Sequence, residues 1–443
     1  MNWQEEYKRK FVQPEEAAMA IKSGDKVVIP YDTPVQALST ALIQRKSELE
    51  NVRVLLRSPR IDLGWLKGDL RPAFDVMIDT QAGEASRAIN EKGVDFIPFL
   101  TSLRFKADEN GKREPELFNV AMIIVSPPDA HGYCRFGPYL SHKKDYAKRS
   151  KIVLAEVSDE PEMMARTFGD NYIHISEIDY FVQHVQAVNS PNVVEKPHKP
   201  DKEEQYIAEY VSSLVNDGDT IQLGGGAVAS SLMLSADFGK KQDLGCHSAF
   251  IGTAFLKLIK AGIINGRRKN INPGKAVSGG MLRLSNDELN FVNDNPLFEV
   301  RNMSYVNNIQ VIASHDHMVA INGILAIDLA GQIAADTLKG KMYGGAGGQI
   351  DFAIGSMLSK GGRSISVLRS TTGNGTISRI LPRLETGTIA SVPWTFADYV
   401  VTENGIAKLW GKSLRQRAEE LISVAHPDFR SELRKRAAMT ILA

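Results

Sequence analysis

Ser23-Gly24-Asp25, followed by the apolar run Lys26 to Pro30, recurs as Asp217-Gly218-Asp219, followed by Thr220 to Leu223. In each copy an amphipathic helix pattern comes first, the glycine is expected to end the helix, and a short strand follows at once. One copy alone is a common junction between a helix and a strand. Because each copy opens one half of the chain, the pair predicts two related halves.

Further apolar runs bounded by turn signals are typical of buried strands. They are Val52 to Leu56, Ala121 to Val125, Ile152 to Val157, Val319 to Asn322 and Ile365 to Leu368. Helical patterns alternate with these runs, which favours parallel sheets covered by helices on both faces. The sequence therefore predicts an α/β fold for both halves.

A proline-rich segment separates the two halves. Between Val188 and Glu204, prolines lie among lysines and acids, a composition that suits an exposed connection. We therefore predict an N-terminal α/β domain over residues 1–190, a linker over residues 191–204 and a C-terminal α/β domain over residues 205–443.

The end of the chain carries a clear helix signal. Ser413 and Gln416 have the spacing of a capping box, so a helix is expected to begin there. The apolar positions that follow fall on one helical face, which we expect to be buried: Leu414, Ala418, Leu421, Ile422 and Ala425.

Composition narrows the class of partner. The 443 residues carry a net charge of +1, which is not the charge of a nucleic-acid-binding protein, so small molecules are expected instead. Two cysteines are too few for a disulfide framework or a four-cysteine zinc site. No apolar run reaches the about 18 residues of a membrane helix, and the start, Asn2 to Lys10, is polar. We expect a cytoplasmic protein without metal, membrane or nucleic-acid partners.

Two glycine clusters are candidates for ligand binding. The first, Gly224 to Ser230, directly follows the strand Thr220 to Leu223, and the second is Gly344 to Gln349. Glycine lets a backbone approach a ligand closely, and free N–H groups at a helix start attract phosphate or a carbonyl oxygen. A tight turn is the alternative for either cluster.

Other candidates have an ordinary structural explanation beside a functional one. His131, in the loop Ser126 to Tyr133, is either a general base or a hydrogen-bonded loop residue. Cys134 and Cys246 are expected to be buried small residues instead of nucleophiles. The basic stretch Arg267 to Lys269 is expected on a solvated surface, or in contact with phosphates if the ligand carries them.

A series of motifs along nearly the whole chain resembles one enzyme family. The motifs are Ser126-Pro127-Pro128-Asp129 with His131-Gly132-Tyr133, Lys151 to Val157, Gly169-Asp170 with Ile173-His174, Leu244-Gly245 with His247-Ser248, Asn272-Pro273-Gly274-Lys275, Gly347-Gly348-Gln349-Ile350-Asp351-Phe352, Gly375-Thr376-Ile377-Ser378-Arg379 and Ala425-His426-Pro427-Asp428-Phe429-Arg430. Together they resemble the acetyl-CoA hydrolase/transferase family, and within it the 4-hydroxybutyrate and butyrate:acetate CoA-transferase branch.

The resemblance implies a fold, a partner and a reaction. It implies two related α/β domains with the active site at their interface, commonly in a homodimer, and coenzyme A as the cosubstrate, exchanged between a short-chain acyl-CoA and a small carboxylate. It also implies a ping-pong mechanism, in which a glutamate forms an anhydride and then a glutamyl-CoA thioester. By the same resemblance, CoA and oxyanion contacts are assigned to Gly226, Ala227, Val228, Ala229, Ser230, Gly347 and Gly348.

The sequence departs from the family at the nucleophile. Where the family has Gly, a variable residue, His, Ser or Thr, and Glu, this chain has Gly245-Cys246-His247-Ser248 followed by Ala249, and no acid occurs from there through Asn286. Alanine has no acyl group to exchange, so covalent transfer is expected to be impaired. The alanine is either an engineered replacement or a natural loss.

Three functions are therefore compatible with the sequence. The first is a CoA-transferase acting on 4-hydroxybutyryl-CoA, butyryl-CoA or a similar thioester. The second is an acyl-CoA hydrolase, in which water takes the acyl group. The third is a non-catalytic CoA-binding protein, which applies if Ala249 is native.

Overall fold

The computed structural model describes residues 2–30, 34–57, 62–66, 68–80, 84–91, 93–105, 118–185, 200–224, 235, 237–282, 284–345 and 347–440. The chain forms two compact units. The first contains residues 1–194 and 279–304, and the second contains residues 195–278 and 305–443. Most of the predicted linker, residues 191–204, lies outside the described residues.

The first unit is built on a parallel sheet. Its strands are β1 (Lys26–Ile29), β2 (Val52–Arg57), β3 (Phe74–Thr80), β4 (Asp95–Phe96), β5 (Phe118–Val125), β6 (Ser150–Val157) and β7 (Tyr180–Gln183), in the order β7-β6-β5-β1-β2-β3-β4. All adjacent strands run parallel. The helices of this unit include Trp3–Lys10, Pro14–Ala18, Gln36–Gln44, Glu84–Asn90, Lys143–Ala147, Pro161–Met164 and Asn286–Val292.

Residues 279–304 join the first unit through backbone pairing. The short strand Phe298–Val300 pairs in parallel with Phe168–Gly169, and the Ser141 N–H group donates to the Gly279 carbonyl oxygen at 2.7 Å. The predicted division, with one linker over residues 191–204, instead places residues 279–304 in the C-terminal domain.

The second unit repeats the sheet of the first. Its strands are β8 (Thr220–Leu223), β9 (Gly245–Ser248), β10 (Ala276–Ser278), β11 (Met318–Gly323), β12 (Arg363–Val367), β13 (Tyr399–Thr402) and β14 (Gly405–Lys408), in the order β14-β13-β12-β11-β8-β9-β10. Only β14 runs antiparallel among these strands. The helices include Lys202–Ser213, Thr253–Lys260, Ile309–Ala313, Gln349–Leu358, Leu414–Ser423 and Pro427–Thr440. The prediction of two related, parallel-rich α/β halves is confirmed.

The repeated turns before β1 and β8 share their hydrogen bonds. The Lys22 N–H donates to the Asp25 carboxylate at 2.7 Å, and the Asn216 N–H donates to the Asp219 carboxylate at 2.6 Å. Both glycines have a positive φ, +80° in the first turn and +84° in the second. The helices end earlier, at Ala18 and Ser213. The expectation that glycine ends the helix is therefore wrong: each glycine shapes the turn that starts the strand.

Replacing Gly24 by alanine is expected to lower the free energy of unfolding by about 1 kcal/mol, because a left-handed backbone is unfavourable for an L-residue. A Cβ there would meet no atom within 4 Å, so backbone conformation is the whole effect. Urea unfolding measures it. Gly239→Ala is the matched control, since it also lies in open space without a positive φ. Equal stability of the two variants would contradict the assignment.

The predicted capping box is confirmed. Ser413 caps the helix Leu414–Ser423 and Gln416 reaches back to the Ser413 backbone. Ala418 and Leu421 are buried as expected, but Leu414, the first residue of the helix, is 37% exposed, so the expectation of burial is wrong for this residue. In the part of the chain that the structure describes, no helix is both long and apolar enough to span a bilayer.

Candidate active site

The carboxyl ends of three parallel strands meet at one edge of the second sheet. Strand β8 lies between β9 and β11, with Ile221 opposite Cys246 and Leu223 opposite Ile321. The first glycine cluster leaves β8 at Gly224, whose N–H donates to the Ile321 carbonyl oxygen at 2.7 Å. Ala249 directly follows β9. Ligands of α/β proteins bind beyond the carboxyl ends of such strands, so this edge is the candidate site.

The backbone that carries Ala249 is fixed in place. The whole of β9 is buried, whereas Ala249 itself is half-buried. His247 Nε2 donates to the Val306 carbonyl oxygen at 2.8 Å, and the Ser248 hydroxyl donates to the Phe250 carbonyl oxygen at 2.9 Å. On the preceding residue, the Cys246 carbonyl accepts a hydrogen bond from Lys269 Nζ at 2.9 Å. Position 249 therefore emerges from a buried, hydrogen-bonded strand at a defined place.

His247 of β9 packs against a second buried imidazole, His315. The ring centroids of His247 and His315 are 4.4 Å apart. Burial, followed by the charges of His315 and Lys269, holds the pKa of His247 well below its usual value. Burial also lowers the pKa of His315 to about 4, against the opposing effect of its hydrogen bond to Val311. Both rings are therefore neutral at neutral pH, and they act as hydrogen-bonding supports.

Replacing His315 by asparagine is expected to flatten the acid dependence of stability. The folded pKa lies near 4 and the unfolded pKa near 6.5, so the unfolded state gains the proton first and stability falls as the pH drops through this window. One such proton is worth about 1.4 kcal/mol per pH unit. Urea unfolding at several pH values between 4 and 6.5 measures the slope. His131→Asn, on an exposed histidine, is the control, and equal slopes for both variants would refute the prediction.

The second glycine cluster is joined to β9 through the segment 305–307. Gly348 lies at the N-terminus of the helix Gln349–Leu358, and the Asn307 side-chain amide donates to the Asp351 carboxylate at 3.1 Å. A Cβ on Gly348 would overlap that amide nitrogen, so glycine is required by close approach. Val306, the neighbour of Asn307, is the acceptor for His247. The predicted nucleophile position and the predicted Gly347-Gly348 contact therefore share one support.

The first glycine cluster is described only at its start. Gly226, Ala227, Val228, Ala229 and Ser230 lie outside the described residues. Gly224 is present and packs against Asn322, which exchanges two amide hydrogen bonds with Gln222, each 3.1 Å long. Glycine at 224 is required by this close approach of Asn322, and the ligand contacts expected of the rest of the cluster stay predictions.

The residues of the basic stretch Arg267 to Lys269 have different surroundings. Lys269 is buried, and its Nζ atom donates to the Cys246 and Lys275 carbonyl oxygens, so the expectation of a solvated surface is wrong for this residue. Arg268 contacts Asp243, 3.5 Å away, and Asp243 precedes β9 whereas Ala249 follows it. Arg268 therefore lies near the amino end of β9, at the opposite end from Ala249, and Arg267 is exposed, as expected of a solvated surface.

His131 and the cysteines have structural surroundings. His131 is exposed, and its backbone N–H donates to the Asp129 carboxylate at 2.9 Å, as in an ordinary hydrogen-bonded loop. Burial raises the pKa of Cys134 and of Cys246 to about 12, so both thiols stay protonated. The described residues contain no group of three histidine, cysteine or acidic side chains that could hold a metal ion.

Family models match most of the chain. The acetyl-CoA hydrolase/transferase N-terminal domain matches residues 1–193, and the C-terminal domain of the same family matches residues 285–437. The chain belongs to the acetyl-CoA hydrolase/transferase family. The resemblance found from the sequence motifs is confirmed.

Relatives of this family member include several CoA-transferases. It is 38% identical to the 4-hydroxybutyrate coenzyme A transferase of Clostridium kluyveri over 98% of each chain. It is 33% identical to the butyryl-CoA:acetate CoA-transferase of Anaerostipes caccae over 99% of this chain and 98% of that one. Its fold matches the crystal structure of RipA from Yersinia pestis with a TM-score of 0.87, at 30% identity over all of both chains. It matches 4-hydroxybutyrate CoA-transferase from Porphyromonas gingivalis with a TM-score of 0.74, at 31% identity over 99% of this chain and 100% of that one.

Sequence reasoning missed Asp336, a neighbour of the second glycine cluster in this family member. The Tyr343 N–H donates to the Asp336 carbonyl oxygen at 2.8 Å, and burial raises the pKa of the Asp336 carboxyl to about 6. A carboxyl with this pKa can hold or release a proton near neutral pH. No local signal in the sequence distinguishes it, because its burial depends on the fold.

Proposed function

We propose that this chain is a CoA-transferase that exchanges CoA between a short-chain acyl-CoA and acetate or another small carboxylate. The observation that carries the proposal is the 38% identity to a 4-hydroxybutyrate CoA-transferase along nearly the full length of both chains. The site geometry supports it, since position 249 and the Gly347-Gly348 turn are held by the same segment.

The glycine clusters would contact CoA and the charge that develops on the reacting carbonyl. Gly347-Gly348 precedes the helix Gln349–Leu358, whose first N–H groups favour negative charge. A well-placed N–H donor stabilises an oxyanion by about 3 kcal/mol. We assign the same role to Gly226, Ala227, Val228, Ala229 and Ser230 on the other cluster.

This chain lacks the carboxylate at position 249 that the covalent mechanism requires. A glutamate at position 249 would accept the acyl group as an anhydride and then carry CoA as a thioester, which divides one difficult exchange into easier steps. Ala249 can form neither species. We therefore propose that this chain transfers CoA far more slowly than a variant that carries the carboxylate.

We further propose the setting in which the enzyme works. CoA is the cosubstrate, and the reaction needs no metal because a carboxylate and backbone donors supply the chemistry. The family resemblance supports a homodimer, and the two buried, unpaired cysteines suit a reducing compartment such as the cytoplasm.

Product analysis separates transfer from hydrolysis. Butyryl-CoA is incubated with this chain or with Ala249→Glu, with and without acetate. A transferase forms acetyl-CoA in proportion to acetate and releases little free CoA. Acetate-independent release of free CoA would identify a hydrolase, and binding of acyl-CoA without turnover by either protein would identify a non-catalytic CoA-binding protein.

A further inference from the structure

The side chains around the end of β9 do not replace the missing carboxylate. The Cys246 thiol is protonated and His247 is neutral, because both are buried. The Ser248 hydroxyl donates to the Phe250 carbonyl oxygen. Asp351 is a carboxylate in this neighbourhood, but it is fully buried and accepts the Asn307 amide. Among the described contacts of β9 and the segment 305–307, no acid therefore occupies the place of a nucleophile.

The part of a glutamate that alanine lacks is equivalent to acetate. Removing the side chain beyond Cβ removes one methylene and one carboxylate, and the free molecule with these groups is acetate. Ala249 is half-buried, so its methyl group is reachable, and His247 and Ser248 hold the adjoining backbone. An acetate packed against this methyl group would hold its carboxylate where a glutamate would hold one.

We propose that this chain transfers CoA within a single ternary complex, in which the acceptor carboxylate, bound against Ala249, attacks the acyl-CoA directly. This inference rests on the proposed function and replaces its covalent step. An acetate oxygen forms a bond to the thioester carbonyl carbon, the carbon–sulfur bond breaks, and CoA leaves as a thiolate. The thiolate then attacks the acetyl carbonyl of the anhydride, which yields acetyl-CoA and expels the original acid as a carboxylate. Atoms and charge balance without another reactant.

Four properties follow from this mechanism. Acyl-CoA and acceptor must be bound together, so initial rates show sequential kinetics instead of the parallel lines of a ping-pong reaction. The enzyme forms no adduct with CoA. The acceptor must be small, because it occupies the volume of a missing side chain. The rate is lower than with a tethered carboxylate, since the bound acetate must first be captured and oriented.

Oxygen labelling in a single turnover tests the direct attack. With enzyme in excess over butyryl-CoA, acetate labelled with ¹⁸O at both oxygens is expected to pass one label to the released butyrate. In Ala249→Glu, the first released butyrate takes its oxygen from the protein and stays unlabelled, and the label enters the side chain. Unlabelled butyrate from this chain, or a CoA adduct on it, would overturn the inference.

Variants at the same position test the binding site. Ala249→Val fills the space and is expected to lower kcat/KM for acetate by about 10-fold or more, whereas Ala249→Gly is expected to admit propionate. Ala254→Val is the matched control, since Ala254 is half-buried in the helix Thr253–Lys260. Similar losses in both valine variants would overturn the inference. If Ala249→Glu transfers CoA while this chain does not, the inference fails and the proposed function stands. If neither transfers CoA, both fail.

Discussion

Ala249→Glu is expected to raise the rate of CoA exchange by about 10³-fold or more, on the scale of measured losses when a catalytic nucleophile is removed. The physical reason is that a tethered carboxylate is already oriented and can become both an anhydride and a thioester. The surrounding strand needs no rearrangement, because His247 and Ser248 already fix the backbone. Rates of acetyl-CoA formation from butyryl-CoA and acetate measure the gain.

Mass spectrometry of the intact protein gives a second readout for this substitution. After addition of acyl-CoA, Ala249→Glu is expected to gain the mass of CoA minus water, as a thioester requires. Ala249→Gln is the matched control, since it has the same length but cannot form the thioester. A folded Ala249→Glu protein that binds acyl-CoA but shows neither the faster exchange nor the adduct would refute the assignment of position 249.

The repeated sheet was predictable because its signals are local. Gly24 and Gly218 occupy left-handed turns, and each is followed by an aspartate that accepts a backbone N–H from three residues earlier. A positive φ favours glycine and a short side-chain acceptor favours aspartate, so such a turn can be recognised from adjacent residues in the sequence. The buried strands are also predictable locally, because each is an apolar run bounded by turn residues. The repeat therefore predicts two related halves from neighbouring residues alone.

The supports of the candidate site were not predictable, because they join distant residues. Lys269 belongs to a basic stretch that is expected to be solvated from its sequence. Only the fold brings its Nζ atom within hydrogen-bond distance of the Cys246 carbonyl oxygen. His315 and Asn307 occur in segments without a functional signature, and their partners lie far away in the sequence. Periodicity and turn chemistry depend on residues that are adjacent in the sequence, so they do not predict contacts between residues that are far apart in the sequence.

The candidate site residues were selected on two different grounds, resemblance to a family and local charge. Ala249 and Gly347-Gly348 were selected by resemblance, and the structure gives them a common support without testing their roles, which stay predictions. The basic stretch was selected by charge alone, and charge does not tell which end of a strand a residue flanks.

Gly348→Ala is expected to lower the free energy of unfolding by about 2–4 kcal/mol and to reduce CoA transfer in the Ala249→Glu background. The new Cβ would overlap the Asn307 amide nitrogen, and Asn307 is only 1% exposed. Moving that amide away breaks its hydrogen bond to Asp351, which is fully buried. The φ of −97° at Gly348 is open to alanine, so overlap and not backbone strain causes the loss. Urea unfolding and exchange rates measure both effects.

Gly252→Ala is the control for this prediction, because Gly252 also precedes a helix but a Cβ there would meet no atom within 4 Å. It is expected to cost much less stability. Asn307→Ala removes the overlapping amide, so the cost of Gly348→Ala should shrink by about 0.5–3 kcal/mol in the double variant, the usual range for residues in contact. Strictly additive costs would mean that the tight turn of the second glycine cluster does not depend on Asn307. The link between that cluster and the strand of Ala249 would then not run through the Asn307 side chain, although His247 still contacts the segment at the Val306 carbonyl oxygen and at the Tyr305 ring.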